Sequence, residues 1–172
     1  VGMTIDYSDK GIVKFSMFDY LEEIIENLPD EFRGEATTPA GGHLFTVDED
    51  AEKLNDEDAD MFHHYVAKLL FMAKRTRPDI ATAIAFLCTR VKSPDIHDWK
   101  KLIRVMKYLQ ATPFIPLVLG WDGTGFIRWY VDASFAVHPD MKSHTGGCMT
   151  MGQGTVISTS LFNFFSAPLT IE

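Results

Sequence analysis

Apolar positions along this chain follow three different rhythms. In MTIDYSDKGIVKF, residues 3–15, Ile5 and Tyr7 alternate on one arm, and Val13 and Phe15 on the other. The turn Ser8-Asp9-Lys10-Gly11 between them predicts a β-hairpin. Ser16 then stands as an N-cap with Asp19 three residues on, and Phe18, Leu21, Ile24, Ile25 and Leu28 recur at helical spacing until Pro29. The next stretch, DEFRGEATTPAGGHLFTVDEDAEKLNDED, mixes Gly, Pro, Thr and many acids without a sustained period, which predicts a solvated, extended connection.

From about Asp58 the helical period returns. MFHHYVAKLLFMAKR sets Phe62, Tyr65, Val66, Leu69, Leu70 and Met72 along one wide face. Arg77-Pro78-Asp79 marks a break and a restart, since proline suits a first helical turn and an acid there complements the helix dipole. ATAIAFLCTRV reads as a largely buried helix. SPDIHDWKKLIRVMKYLQAT reads as the next, with Ser93 as cap, Pro94 at the first position, and Ile96, Trp99, Leu102, Ile103, Met106 and Leu109 as its stripe. After Pro113 and Pro116 the period becomes two. FIRWYVDASF, HTGGCMTMG and GTVISTS predict three consecutive strands with Gly-containing turns. The expected fold class is α+β, dividing at 1–57, 58–112, 113–160 and an apolar tail at 161–172.

Composition narrows the classes. With 46% hydrophobic residues, the 172-residue chain can build a core. Val1-Gly2-Met3 opens no basic segment ahead of an apolar run, and no apolar run nears the roughly 20 residues of a membrane span. Cys88 and Cys148 lie in unrelated segments without metal-ligand spacing, so buried reduced thiols in an intracellular protein, cytoplasmic or nuclear, are expected, with no membrane partner. The net charge of −8 by itself argues against a nucleic-acid partner, but the charge is unevenly spread. Residues 1–67 hold 4 Lys/Arg against 17 Asp/Glu, whereas residues 68–107 hold 10 against 3.

That basic segment supplies the first candidate site. Lys100, Lys101, Arg104 and Lys107 are expected opposite the apolar stripe of their helix. With Lys74, Arg75 and Arg77 they can form a positive face able to track a phosphate backbone, or simply a solvated helix exterior. Trp99 and Tyr108 can stack on bases or sit in the core. His63 and His64, adjacent on a helix, do not share a face and so do not form a two-ligand metal site. The second candidate is Asp132, a lone carboxylate within a strand, followed by the small residues Ala133 and Ser134. A carboxylate there can ligate a divalent cation, cap a turn or face solvent, and Mg²⁺ chemistry on phosphodiesters needs several converging acids.

The order of motifs resembles the copia-type retrotransposon Pol polyprotein downstream of the polymerase's catalytic strand pair. VGMTIDYSDKGIVKFSMFDYLEEII is similar to the family's Leu-Gly-Met/Leu-x-Ile hairpin and following helix, the region that grips the primer. ATTPAGG resembles its Thr-Pro loop element, and the block from YVAKLLFMAKRTRPDI to HDWKKLIRVMKYLQAT resembles its Thr-Arg-Pro-Asp-Ile and His-Trp-Lys helices. WYVDASFAVHPDMKSHTGGCMTMGQGTVISTS resembles the entry into its ribonuclease H domain. The resemblance covers residues 1 to about 160 and implies the end of a palm hairpin with an acidic connecting loop, a helical thumb/connection, and an incomplete ribonuclease H-like three-stranded meander.

By the same resemblance, Asp132 occupies the first catalytic carboxylate of a ribonuclease H site, which holds two Mg²⁺ ions and hydrolyses RNA in an RNA–DNA hybrid. The family continues into a Ser-Ser-Thr-Glu-Ala-Glu helix, where this chain has LFNFFSAPLTIE. No Glu follows until Glu172, and Asp140 falls in a predicted turn. The paired aspartates of the polymerase palm are also missing from the sequence. The expectation is therefore a non-catalytic segment that binds no Mg²⁺ tightly and meets an RNA–DNA hybrid or template–primer duplex weakly, along with the remainder of a polyprotein. The alternatives are an active Mg-dependent ribonuclease H-type nuclease, or a decayed element fragment without a selected function.

Overall fold

Gly11, at φ +81°, supplies the left-handed step that closes the first turn. The computed structural model describes residues 2–134 and 143–163. In it β1 (Thr4–Asp6) and β2 (Ile12–Ser16) pair antiparallel as the alternation predicts, with Ile5 opposite Phe15. The Asp6 carboxylate accepts the Ser8 amide hydrogen at 2.9 Å, and Lys14 meets Asp9 at 2.6 Å, which fixes the turn. Ser16 is the last strand residue, opposite Thr4, and so is not available as a cap. Helix α1 (Phe18–Glu26) starts instead behind Met17 without any side-chain cap. It stops at Asn27, two residues ahead of Pro29, because the residue before a proline disfavours helical geometry.

Helix α2 (Asp56–Ala73) is capped by Asn55, whose side chain accepts from the Asp58 amide at 2.9 Å. A 3₁₀ turn at Pro78–Ile80 leads into α3 (Ala81–Arg90), and α4 (Ile96–Ala111) follows. The helical period holds: Phe62, Val66, Leu69, Ile84, Leu87, Leu102, Met106 and Leu109 are buried together with Leu21 and Ile24 of α1, although Leu70 is exposed. The cap of α4 is Asp95 rather than Ser93. Asp95 accepts from the His97 and Asp98 amides while the Asp98 carboxylate returns to the Asp95 amide, so two orphan donors are satisfied reciprocally, which a serine two residues earlier cannot do.

The acidic connection is not simply solvated. Phe32 is fully buried, edge-on to Trp99 with ring centroids 5.0 Å apart, and Gln110 donates to the Phe32 carbonyl at 2.7 Å. Farther on, Leu44 is buried, and the Leu54 and Ile96 amides donate to the Pro94 and Glu52 carbonyls. Isolated apolar residues in an acid-rich stretch are enough to lay this segment against the helices.

Two antiparallel sheets complete the architecture. A strand not expected from the period, β3 (Leu117–Trp121), lies within the stretch assigned to the three-stranded sheet but joins the hairpin, with Phe15 opposite Leu117. The three expected strands do form a meander: β4 (Arg128–Ser134), β5 (Ser143–Thr150) and, after the two-residue β6 (Gly152–Gln153), β7 (Ile157–Asn163), in the order β4-β5-β7. Between β5 and β7, β6 crosses to the first sheet and pairs with Gly120 and Trp121. Gly154, at φ +75°, allows this crossing, because a Cβ there would overlap the Val118 carbonyl oxygen.

Candidate nucleic-acid interface

The basic residues divide according to what the helices do with them. Arg77 is 2% exposed. Its guanidinium donates to the Asp79 carboxylate at 2.8–3.2 Å, to the Thr112 carbonyl at 2.8 Å and to the Thr112 hydroxyl at 2.8 Å. Burial pushes the Asp79 carboxyl up, but the hydrogen bonds and charge of Arg77, with a hydrogen bond from Tyr108, outweigh it and hold the carboxyl below its usual range. Lys101 is 9% exposed and donates to the Thr46 carbonyl at 2.7 Å, 3.5 Å from Asp98 and over the Phe86 ring. It does not lie opposite the apolar stripe: with Asp98 and Val105 one turn away on either side, it flanks the buried face. Arg77 and Lys101 thus support the fold, and of the two only Lys101 reaches a surface, at the edge of the groove between α4 and the loop around 39–48.

Lys74, Arg75, Lys100, Arg104 and Lys107 remain accessible, in separate places. Lys74 and Arg75 follow the end of α2 and line a cleft of about 350 Å³ with Pro78, Leu117, Thr155 and Ser158; Arg75 lies 3.5 Å above the Phe71 ring. Lys107 lays its stem across Gly34, whose missing Cβ leaves room for it. Lys100 and Arg104 face a groove of about 400 Å³ between α4 and the loop around 39–48. Three contacts clamp that loop to α4: Arg104 Nη2 donates to Thr38 Oγ1 at 2.8 Å, Lys101 to the Thr46 carbonyl, and His97 Nε2 lies 3.7 Å from Asp48 Oδ2. Sequence reasoning missed the groove, because its far wall comes from a stretch without periodicity; the Thr-Pro-Ala-Gly-Gly turn signal was the available hint.

Below the groove, Asp95 and Asp98 hold Arg90 at 3.2 and 2.8 Å. Burial pushes the Asp95 carboxyl up, while the amides of Asp98 and His97 and the charge of Arg90 hold it below the usual carboxylate value. Trp99 is a core residue whose indole donates to Glu31 at 3.0 Å, and Tyr108 donates to Asp79 at 2.9 Å. His63 and His64 are exposed.

Asp132 sits in the edge strand β4, opposite Gly146 of β5, with its side chain exposed. Its strand face also carries Tyr130, Ser134, His144, Cys148, Ser158 and Ser160. No group of three or more His, Cys, Asp or Glu that could hold a metal exists among the described residues, and Asp140 and Glu172 lie outside them. The opposite face, with Trp129, Val131, Ile157 and Leu161, is apolar and exposed, Val131 reaching 70%. Cys88 and Cys148 are free but only partly buried, against the expectation of buried thiols, and no described helix is long and apolar enough to cross a membrane.

Comparison with known proteins sets the class: the chain is a relative of retrotransposon Pol polyproteins. It is 26% identical over 142 residues, 80% of its length, to the Retrovirus-related Pol polyprotein from transposon TNT 1-94 of Nicotiana tabacum. A transposon Ty5-1 protein of Saccharomyces cerevisiae is 24% identical over 160 residues, 93% of this chain. The secreted RxLR effector protein 161 of Plasmopara viticola is 30% identical over 93 residues, 54% of the chain. The chain spans 11% of the tobacco polyprotein, 51% of the yeast protein and 66% of the effector, less than two thirds of each. No protein-family model matches it, and no solved structure does. The tobacco and yeast transposon relatives bear out the resemblance to a retrotransposon Pol polyprotein that the motifs carried.

Proposed function

We propose that the chain corresponds to the part of a copia-type polyprotein that follows the polymerase's catalytic strands, and that it holds template–primer or RNA–DNA hybrid duplex without cutting it. The observation that carries this reading is the alignment to the tobacco Pol polyprotein across 80% of the chain, which takes in the helical unit and its basic residues. Supporting it, a hairpin of β1 and β2, a helical unit of α2 to α4 and a three-stranded antiparallel meander of β4, β5 and β7 follow one another in the order that the resemblance to primer grip, thumb and connection, and ribonuclease H entry implies. Lys74, Arg75, Lys100, Arg104 and Lys107 are the phosphate contacts; Arg77 and Lys101 position the helices that carry them.

In this reading Asp132 is a relic of a metal site rather than a working one. Two-metal hydrolysis requires several carboxylates to share the ions, one metal activating water and both stabilising the oxygens of the displacement. Asp132, exposed opposite a glycine, belongs to no group of three or more candidate ligands among the described residues. Incubation of the chain with a labelled RNA–DNA hybrid in Mg²⁺ or Mn²⁺ tests this. No cleavage above background is expected, and cleavage that vanishes in Asp132→Asn would overturn the non-catalytic reading.

A further inference from the structure

The groove between α4 and the 39–48 loop is lined by a residue with an unfilled hydrogen-bonding group. Arg104 spends Nη2 on Thr38, but its Nε is buried and has no acceptor among the described residues. A guanidinium N–H shielded from water and left without an acceptor is unfavourable, and the same guanidinium belongs to a residue that lines a cavity with room for one. Lys100, one turn earlier on the same helix face, is exposed and has no carboxylate partner among the described residues. The lining contains a single acid, Asp48, which lies beside His97. The groove is therefore a pocket of positive charge in a chain of net charge −8.

Its loop wall has a different character. Pro39, Ala40 and Leu44 line it with apolar surface, and a volume of about 400 Å³ falls in the range of small-ligand sites. A free inorganic anion would use the cations and leave the apolar wall bare. A ligand with a flat apolar body joined to a phosphate would use both, since guanidinium and ammonium groups fit phosphate oxygens while a base can lie on an apolar surface.

We propose that this groove is a nucleotide-binding site: the Arg104 guanidinium and Lys100 take a phosphate, and the Pro39–Ala40–Leu44 wall takes the attached base. The ligand is a single nucleotide unit, either free or as an unpaired residue of a nucleic-acid strand. In the second form the site rests on the proposed template–primer function and deepens it, by reading an unpaired nucleotide beside the duplex.

The test is titration of the labelled chain with adenosine monophosphate, adenosine and inorganic phosphate, followed by amide chemical shifts, alongside a separate RNA–DNA duplex binding assay. Adenosine monophosphate is expected to move amides in 39–48 and 97–104, and to bind about tenfold or more tightly than adenosine or phosphate alone. Arg104→Ala is expected to weaken it at least about tenfold, with Arg104→Lys failing to restore it because an ammonium lacks the fork. Lys100→Ala, at an exposed position, gives the same direction without threatening the fold, and Lys92→Ala leaves binding unchanged. A short oligonucleotide with an unpaired end distinguishes a strand residue from a free nucleotide by binding more tightly than the monophosphate. Shifts mapping elsewhere, or binding indifferent to both Arg104→Ala and Lys100→Ala, would overturn the proposal. Duplex binding without nucleotide binding removes the groove and leaves the duplex function standing; nucleotide binding without duplex binding does the reverse.

Discussion

Arg77 and Lys101 show how little a run of basic residues reveals about its own exposure. Both lie in the segment whose charge suggests a phosphate surface, and both are buried in bonds to the fold. Arg77→Ala is therefore expected to cost stability, roughly 3 kcal/mol, the low end for a broken buried ion pair because Asp79 keeps partial solvent contact. Chemical denaturation measures it, and an unchanged midpoint would place Arg77 at the surface. The partner acids set the behaviour at low pH. Asp79 and Asp95 both titrate below their ordinary value of 3.8 in the folded chain. Their contribution is thus complete above that unfolded-state value and lost as pH falls below it through the folded one. The helical unit is expected to lose stability from about pH 4 downward, less steeply in Asp95→Asn, and a parallel acid titration of both proteins checks the difference.

At the scale of elements, the long helices were legible because each repeats an apolar stripe over several turns, as α4 does from Trp99 to Leu109. Strand β3 was not, since LVLGW is a short apolar run behind two prolines and has no period to distinguish strand from linker. Phe32 and Leu44, single apolar residues among acids, likewise carry no signal of the contacts they make. The caps went astray for a local reason: Ser16 and Ser93 fit the residue preference, but strand pairing claims the first and the Asp95–Asp98 capping box outcompetes the second. Candidate cations could be named but not sorted, because burial of Lys101 depends on the loop laid over it. The meander was legible in its alternation, yet both faces of β4 are open to solvent, with Trp129 57% exposed. An edge strand so exposed opens more readily than a packed helix. Hydrogen exchange is expected to be fastest across Arg128–Ser134 and slowest in Leu102–Leu109. Gly154→Ala should release β6 from β3 and speed exchange in both sheets, since its side chain would displace the Val118 carbonyl; strong protection of β4 in a monomer would show that the sheet is covered.

For the whole molecule, the proposed duplex-holding function gives the uneven charge a use. The acids concentrate before residue 68, while Lys74, Arg75, Lys100, Arg104 and Lys107 stand on the helical unit. A duplex held by a few such contacts would bind weakly against an overall charge of −8, and its affinity would depend on salt through the counterions each neutralised phosphate releases. The most direct test is the affinity of the chain for an RNA–DNA hybrid measured as a function of salt, beside Lys100→Glu/Arg104→Glu/Lys107→Glu. The account predicts binding whose log–log salt slope corresponds to roughly 0.7 to 0.9 per phosphate contacted, and its disappearance in the triple variant while the helical spectrum is unchanged. Binding of equal strength in the triple variant, or no binding by the wild-type chain at low salt, would contradict it.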